Sequence, residues 1–206
     1  MLEKTNNRLF YLLVYSVFWA IYLLTLSKNQ AIAHDGIIYA ARAKEGVWVF
    51  HPHHLLYHVF TLLVVKGIHI FIPSCEVYLI LSGINSVFGA ALVTLFCLIL
   101  IERYDFKRIQ AISASFLVAF SYGIWYYSTS VEVYIIPLFF AVLSLYYFLK
   151  NPDDYFKISL FAALATLFHQ TYVFLLFVYF ISFLFSRKKT SIILKFGIYF
   201  LLLVGI

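Results

Sequence analysis

The chain has 206 residues, 64% of them hydrophobic and only 12% charged, with a formal net charge of +6. A soluble domain carries about 25% charged and about 45–50% apolar residues, so an ordinary soluble enzyme, a disordered chain and a disulfide scaffold are excluded. The basic residues sit in short clusters between apolar runs, where they set membrane topology, and no nucleic-acid partner is expected.

Residues 9–27 form the first run able to span, since a membrane helix takes about 20 mostly apolar residues; Lys4 and Arg8 precede it. Ala31-Ile32-Ala33 looks like a cleavage site, but the run exceeds the roughly 7–15 apolar residues of a signal peptide. After a polar loop come apolar runs at 55–72, 78–101, 111–128 and 133–149. The run 158–185 would reach about 42 Å as one helix, against a hydrocarbon core of ~30 Å. His169-Gln170 near its middle predicts two short helices meeting there. The last run, 191–206, has no cap or polar tail, the pattern of an N-terminal part of a longer protein. Cys75 and Cys97 are separated by one apolar helix of roughly 33 Å, too far for a disulfide.

Charge bias chooses the topology. If 55–72 lies in the interface, Lys4, Arg8, Arg103, Lys107, Arg108, Lys150, Lys157, Arg187, Lys188 and Lys189 all fall inside. Lys28, Arg42, Lys44 and Lys66 are then outside, as the positive-inside rule prefers. At 100° per residue, His54, His58, Thr61 and His69 share an arc of about 80°, a narrow polar stripe that suits a helix lying on the membrane surface. The expected fold is therefore an all-α integral membrane protein. It has one transmembrane domain over 1–206, a multi-helix bundle, and a large outer loop, 28–77, containing interfacial helices. All seven histidines come out on the non-cytoplasmic side, with Asp35, Glu45, Glu76 and Glu132.

The outer loop reads His34-Asp35-Gly36-Ile37-Ile38-Tyr39-Ala40-Ala41-Arg42, then His51-Pro52-His53-His54-Leu55-Leu56-Tyr57. Asp35 could cap a short helix or act as a base. His54 and His58 share a helical face as zinc ligands do, yet no zinc signature or nearby cysteine accompanies them. No metal ligand is assigned, and a divalent metal stays open as a cofactor. Glu132, in Val131-Glu132-Val133-Tyr134, is an ionisable group at the end of an apolar run, a functional candidate by that placement. Asn85, among small residues in a spanning segment, reads as helix glue.

The order of these elements resembles the C-type (GT-C) superfamily of polytopic membrane glycosyltransferases, which includes the protein O-mannosyltransferases. The resemblance covers about residues 10–185 and is carried by several elements in order. Asp35 follows the first helix, His51-Pro52 leads to Leu55-Leu56-Tyr57, and Asn85-Ser86-Val87-Phe88-Gly89-Ala90 follows. Phe120-Ser121 and Trp125 then run into Glu132-Val133-Tyr134, with His169 in a later hairpin. It looks most like the branch with His-Pro and Glu-Val-Tyr motifs. Gly36-Ile37-Ile38 follow Asp35, where related branches often carry a second acid.

The resemblance implies inverting transfer of a sugar from a polyprenyl-phosphate donor to a protein, glycan or lipid acceptor. The reaction would take place on the outer face of a bacterial inner membrane or the lumenal face of the endoplasmic reticulum membrane. Its key acid maps to Asp35. Tyr39, Arg42, His51, His53, His54, Tyr57, Glu132, Tyr134, His169 and Gln170 are the candidates for binding substrate. A carboxylate can take the acceptor proton, while Arg42, Lys44 and the outer histidines can stabilise the departing phosphate. The alternative is a polytopic transporter or metal-handling protein using the histidine cluster and Glu132. A transport pathway needs ionisable groups spread through the bilayer, whereas these gather on one side. A scaffold without a site would tolerate substitution of Asp35 and Glu132.

Overall fold

The computed structural model describes residues 2–27, 34–48, 51–185 and 190–205, which are all-α, with no strand among them. The helices are α1 (Leu2–Leu24), α2 (His34–Glu45), α3 (Tyr57–Phe71), α4 (Val77–Tyr104), α5 (Arg108–Ala119) and α6 (Tyr122–Thr129), then α7 (Ile135–Lys150), α8 (Tyr155–Phe168), α9 (Phe174–Phe185) and α10 (Thr190–Val204). The chain divides into two compact units, one of Met1–Val49 with His58–Ile135 and one of Phe50–Tyr57 with Ile136–Ile206.

Two helices, α1 and α4, are long and apolar enough to cross a membrane, which points to a membrane protein. A third candidate is the pair α5 and α6, bent by 70°. The expected straight span over 111–128 is therefore corrected. Phe120 ends α5, Ser121 takes an extended backbone (φ −61°, ψ 141°) and starts α6, and a Ser before Tyr122-Gly123 is a common place for a helix to kink. The apolar run at 133–149 forms a helix of 16 residues, and the two short helices expected within 158–185 have 14 and 12 residues, each shorter than the ~20 residues of a full crossing.

In the first unit, Val14, Phe18 and Tyr22 of α1 pack with Ala90, Val93 and Cys97 of α4 and with Ala111 and Ala119 of α5. The outer side of α1 shows Leu9, Leu12, Leu13 and Leu24, a face suited to hydrocarbon. The buried Tyr22 hydroxyl donates to Ala119 O at 3.0 Å. Ser27 N–H donates to Thr129 O at 2.9 Å and Trp125 Nε1 to Thr25 Oγ1 at 3.2 Å, so the chain after α1 is tied to the end of α6. α2 carries Asp35 in its first turn and Arg42 and Lys44 in its last, charges that complement the helix dipole. Gly46 (φ 71°) closes α2, with Gly46 N–H bonded to Ala43 O and Val47 N–H to Arg42 O, a Schellman arrangement.

Two residues of the polar stripe, His58 and Thr61, face inward on α3, while Leu63, Ile70 and Phe71 are exposed. The His58 ring meets Tyr39 of α2 edge-on at 5.2 Å, and Phe60 meets Phe88 of α4. These two residues are drawn inward because α2 and α4 supply polar and aromatic partners there.

In the second unit, α8 packs on α10 through Ile158, Ala162, Phe196 and Phe200, joined by Tyr179 and Phe183 of α9. Pro137 sits in the first turn of α7, where its missing N–H costs nothing. Ser144 Oγ of α7 donates to Ile158 O at 2.8 Å, and the Asp154 carboxylate at the start of α8 accepts from Lys157 N and pairs with Lys157 Nζ at 2.6 Å. The break expected near His169 is present. α8 ends at Phe168, His169 is extended (φ −155°, ψ 116°), and a 3₁₀ turn over Gln170–Val173 leads into α9.

Gly89 lets α4 and α6 approach closely, since a Cβ there would lie 2.1 Å from Ser128 Oγ and 2.5 Å from Ser128 Cβ. Because Ser128 Cβ is fixed to its backbone, Gly89→Val must push the helices apart. We expect a loss of about 1–3 kcal/mol, read as a lower thermal midpoint in detergent; an unchanged midpoint would show that α6 moves freely.

Candidate functional site

Polar residues gather at two places, one in each unit. In the first unit the centre is the non-helical stretch between α6 and α7. Ser130, Val131, Glu132 and Val133 are buried, and their carbonyls lie outside any helical ladder. Buried backbone groups must find partners, and Asn85 of α4 provides them. Its Nδ2 donates to Ser130 O at 2.8 Å and to Glu132 O at 2.7 Å. Sequence reading took Asn85 as helix glue; its partners are the loop carbonyls that fix Glu132. The available signal was a lone amide in an apolar helix.

Glu132 thus sits three residues before α7 rather than at a helix end, and is only 9% exposed. Burial, helped by the negative charge of Asp35, pushes its carboxyl up to about 7, against a weaker lowering by the Val133 backbone. Tyr39 of α2 is buried and lies within the fields of Asp35, Glu132 and Tyr134. Burial first, then these three groups, push its hydroxyl up to about 12, opposed by Arg42. Burial and the charge of Glu132 likewise raise Tyr134, whose ring lies 4.8 Å from Tyr127. Asp35, Tyr39, Arg42, Glu132 and Tyr134 are thus brought together electrostatically, with His58 against Tyr39. Asp35 is exposed in the first turn of α2, a position open both to helix stabilisation and to substrate.

The second unit holds the other candidates. His51 and His54 rings are stacked at 5.2 Å, His51 and His53 lie 5.2 Å apart, and His54 meets His169 edge-on at 4.7 Å. Two backbone bonds hold the His-Pro segment against the helix break: Leu56 N–H to Leu167 O at 2.9 Å and Gln170 N–H to His53 O at 3.0 Å. The Gln170 side-chain nitrogen also bonds His53 Nδ1. Burial, then the neighbouring His53, lowers the His169 imidazole below its ordinary value. Tyr57 is fully buried in this unit. Thr171 and Tyr172, which sequence reading passed over, bond and flank His169. Among the described residues, no group of three His, Cys, Asp or Glu side chains could hold a metal. The side chain of His34 lies outside the described residues.

The Glu132 carboxyl gives a pH signature. Its native value lies above the ordinary 4.5, so between about pH 4.5 and 7 the native state binds more protons than the unfolded one. Its contribution to stability is full below that window and is lost as pH rises through it. We expect the stability difference between the wild type and Glu132→Gln to change across pH 4.5–7 in detergent, with the wild type losing ground at the upper end. Parallel curves would place the carboxyl in water.

No known family model, curated protein or solved structure matches this chain.

Proposed function

We propose that this protein is a multi-pass membrane glycosyltransferase of the C-type. It moves a sugar from a polyprenyl-phosphate donor to an acceptor on the non-cytoplasmic face of a bacterial inner membrane or the endoplasmic reticulum membrane. The observation that supports this reading best is the electrostatic grouping of Asp35, Tyr39, Arg42 and Glu132. These groups come from two stretches of sequence about a hundred residues apart, and Asn85 sets the backbone that presents Glu132. Within it, Glu132 and Tyr39 are ionisable groups displaced from their ordinary values, and such groups mark functional sites.

In the proposed reaction, the exposed Asp35 carboxylate takes the proton of the acceptor hydroxyl. The acceptor oxygen then bonds to the anomeric carbon as the bond from that carbon to the phosphate oxygen breaks. The electron pair leaves with the polyprenyl phosphate, and the configuration inverts. Arg42 offers positive charge to the departing group. Glu132, protonated up to about pH 7, donates a hydrogen bond to a sugar or acceptor hydroxyl without adding a second negative charge beside Asp35. Tyr39 keeps its phenolic proton and can stack on or bond to the sugar. His51, His53, His54, Tyr57, His169 and Gln170 are assigned to substrate binding.

Asp35→Asn keeps size and hydrogen bonding but removes basicity, so turnover should fall by about 10²–10⁴-fold with expression unchanged. The assay uses the full chain in liposomes with polyprenyl-phosphate sugars. Turnover near the wild-type rate would reduce Asp35 to a helix-stabilising acid. Glu132→Gln should lower transfer less and shift its pH profile.

The topology carries its own expectation. A cysteine at Ser74, in a Cys75→Ser, Cys97→Ser background, should react with an impermeant reagent from the non-cytoplasmic side. Labelling from the cytoplasmic side would overturn the orientation.

A further inference from the structure

In the first unit, α1 and α5 start at the same end and run parallel. Arg108 lies over the Phe10 ring at 4.9 Å, and eight residues further along both helices Phe18 meets Phe116 at 5.0 Å. Between them is a groove of about 150 Å³, walled by Phe10, Leu13, Val14 and Val17 of α1 and by Ile112 and Phe116 of α5. Every one of these side chains is apolar. Val14 is buried, whereas Leu13, Val17 and Phe116 are exposed. Leu13 stands one turn after Leu9, on the face of α1 suited to hydrocarbon, so the groove opens toward lipid.

A cation is fixed at one end of this groove. Arg108, Ile112 and Phe116 lie at i, i+4 and i+8 of α5 and share one face. Arg108 Nη2 donates to Asn7 Oδ1 at 2.7 Å, and the Phe10 ring beneath it is also part of the groove wall. Both partners are neutral: they set where the charge sits without cancelling it. Among the described residues Arg108 makes no ion pair with a carboxylate, and a guanidinium has further N–H donors to offer. The surrounding charge has the same sign. Arg8, Arg103, Lys107 and Arg108 stand at this end of α1, α4 and α5, against Glu102 and Asp105.

We infer that the groove between α1 and α5 binds an anionic phospholipid, with the phosphate on Arg108 and an acyl chain along Phe10, Leu13, Val17 and Phe116. The guanidinium fork matches the two free oxygens of a phosphodiester, and basic pockets at the ends of membrane helices select anionic headgroups. From Phe10 to Phe18 the groove gives about 12 Å of apolar wall, starting directly below the charge. A free phosphate would leave that wall empty, and a zwitterionic lipid would bring an ammonium to an end of the unit that is already positive. The site lies at the opposite end of α1 from the segment tied to α6, so it goes beyond the sugar-transfer reading and does not depend on it.

The full chain in detergent is titrated with phosphatidylglycerol and, separately, with phosphatidylcholine, and bound lipid is counted by native mass spectrometry. Phosphatidylglycerol should bind about tenfold tighter at low salt, and the preference should shrink at about 1 M salt as the charges are screened. Arg108→Gln should weaken phosphatidylglycerol about fivefold and leave phosphatidylcholine unchanged. Val17→Trp, at a position 42% exposed, fills the groove without touching the charge and should weaken phosphatidylglycerol by a similar factor. Lys150→Gln, at the end of α7 in the second unit, should alter neither affinity. Thermal midpoints in phosphatidylcholine micelles check that the variants fold, and Leu13→Trp on the same rim replaces Val17→Trp if that chain does not.

Equal affinity for the two lipids would overturn the inference, as would a preference that survives both the arginine and the groove variant. A loss caused equally by Lys150→Gln would also overturn it, because it would mark general surface charge and not a site. A cysteine at Leu13, in a Cys75→Ser, Cys97→Ser background, that cross-links two chains would put a second copy in the groove in place of lipid. None of these outcomes requires sugar transfer.

Discussion

A single side-chain amide holds the polar centre of the first unit in place. Asn85 lies within the apolar helix α4 and is fully buried, yet both hydrogens of its Nδ2 go to carbonyls of a loop more than forty residues away. A helix turn cannot satisfy these carbonyls because the chain is non-helical between α6 and α7. Removing the amide would leave two buried acceptors without donors, at about 1–3 kcal/mol each. The cost would go beyond stability. The loop carries Glu132, and Glu132 shapes the electrostatics of Tyr39 and Tyr134. The close approach at Gly89 and Ser128 reinforces the arrangement one turn further along the same two helices.

The second unit solves a similar problem in another way. Where the first unit supports a non-helical stretch with a side chain, the second uses backbone bonds. His169 leaves the helical path, and the chain segment containing His53 to Leu56 bonds to the exposed ends of the break through Leu167 O and Gln170 N–H. Four imidazoles meet there because the segment and the break are both short of regular partners. Polar groups collect where helices stop, since that is where unpaired backbone groups attract them.

Much of this was legible in the sequence. Length against bilayer thickness located the break at His169, and Asp35 followed by small and apolar residues announced α2. Composition and apolar runs were enough for an all-α membrane protein. Three features were not legible. The bend at Ser121 has no proline to announce it and lies in a run apolar enough to read as one span. The stripe of His58 and Thr61 has the period of an amphipathic helix, but period alone cannot say which face meets water or protein. The partners of Asn85 lie across the fold, and sequence spacing does not reveal contacts at that separation. At the candidate site the residue types could be named in advance. The grouping of Asp35 with Glu132, and of His53 with Gln170, depends on tertiary packing.

The gap between His53 and Gln170 has a consequence for how the protein is made. The two residues are 117 positions apart, and a ribosome adding about 5–20 residues per second needs roughly 6–23 s to span that distance. Through that interval the His-Pro segment has been synthesised but its partners at the α8 break have not. Nascent chains halted before residue 169 should therefore expose His54, which the finished chain buries beside His169, to histidine-reactive reagents, and protection of that ring would time the moment at which the second unit closes.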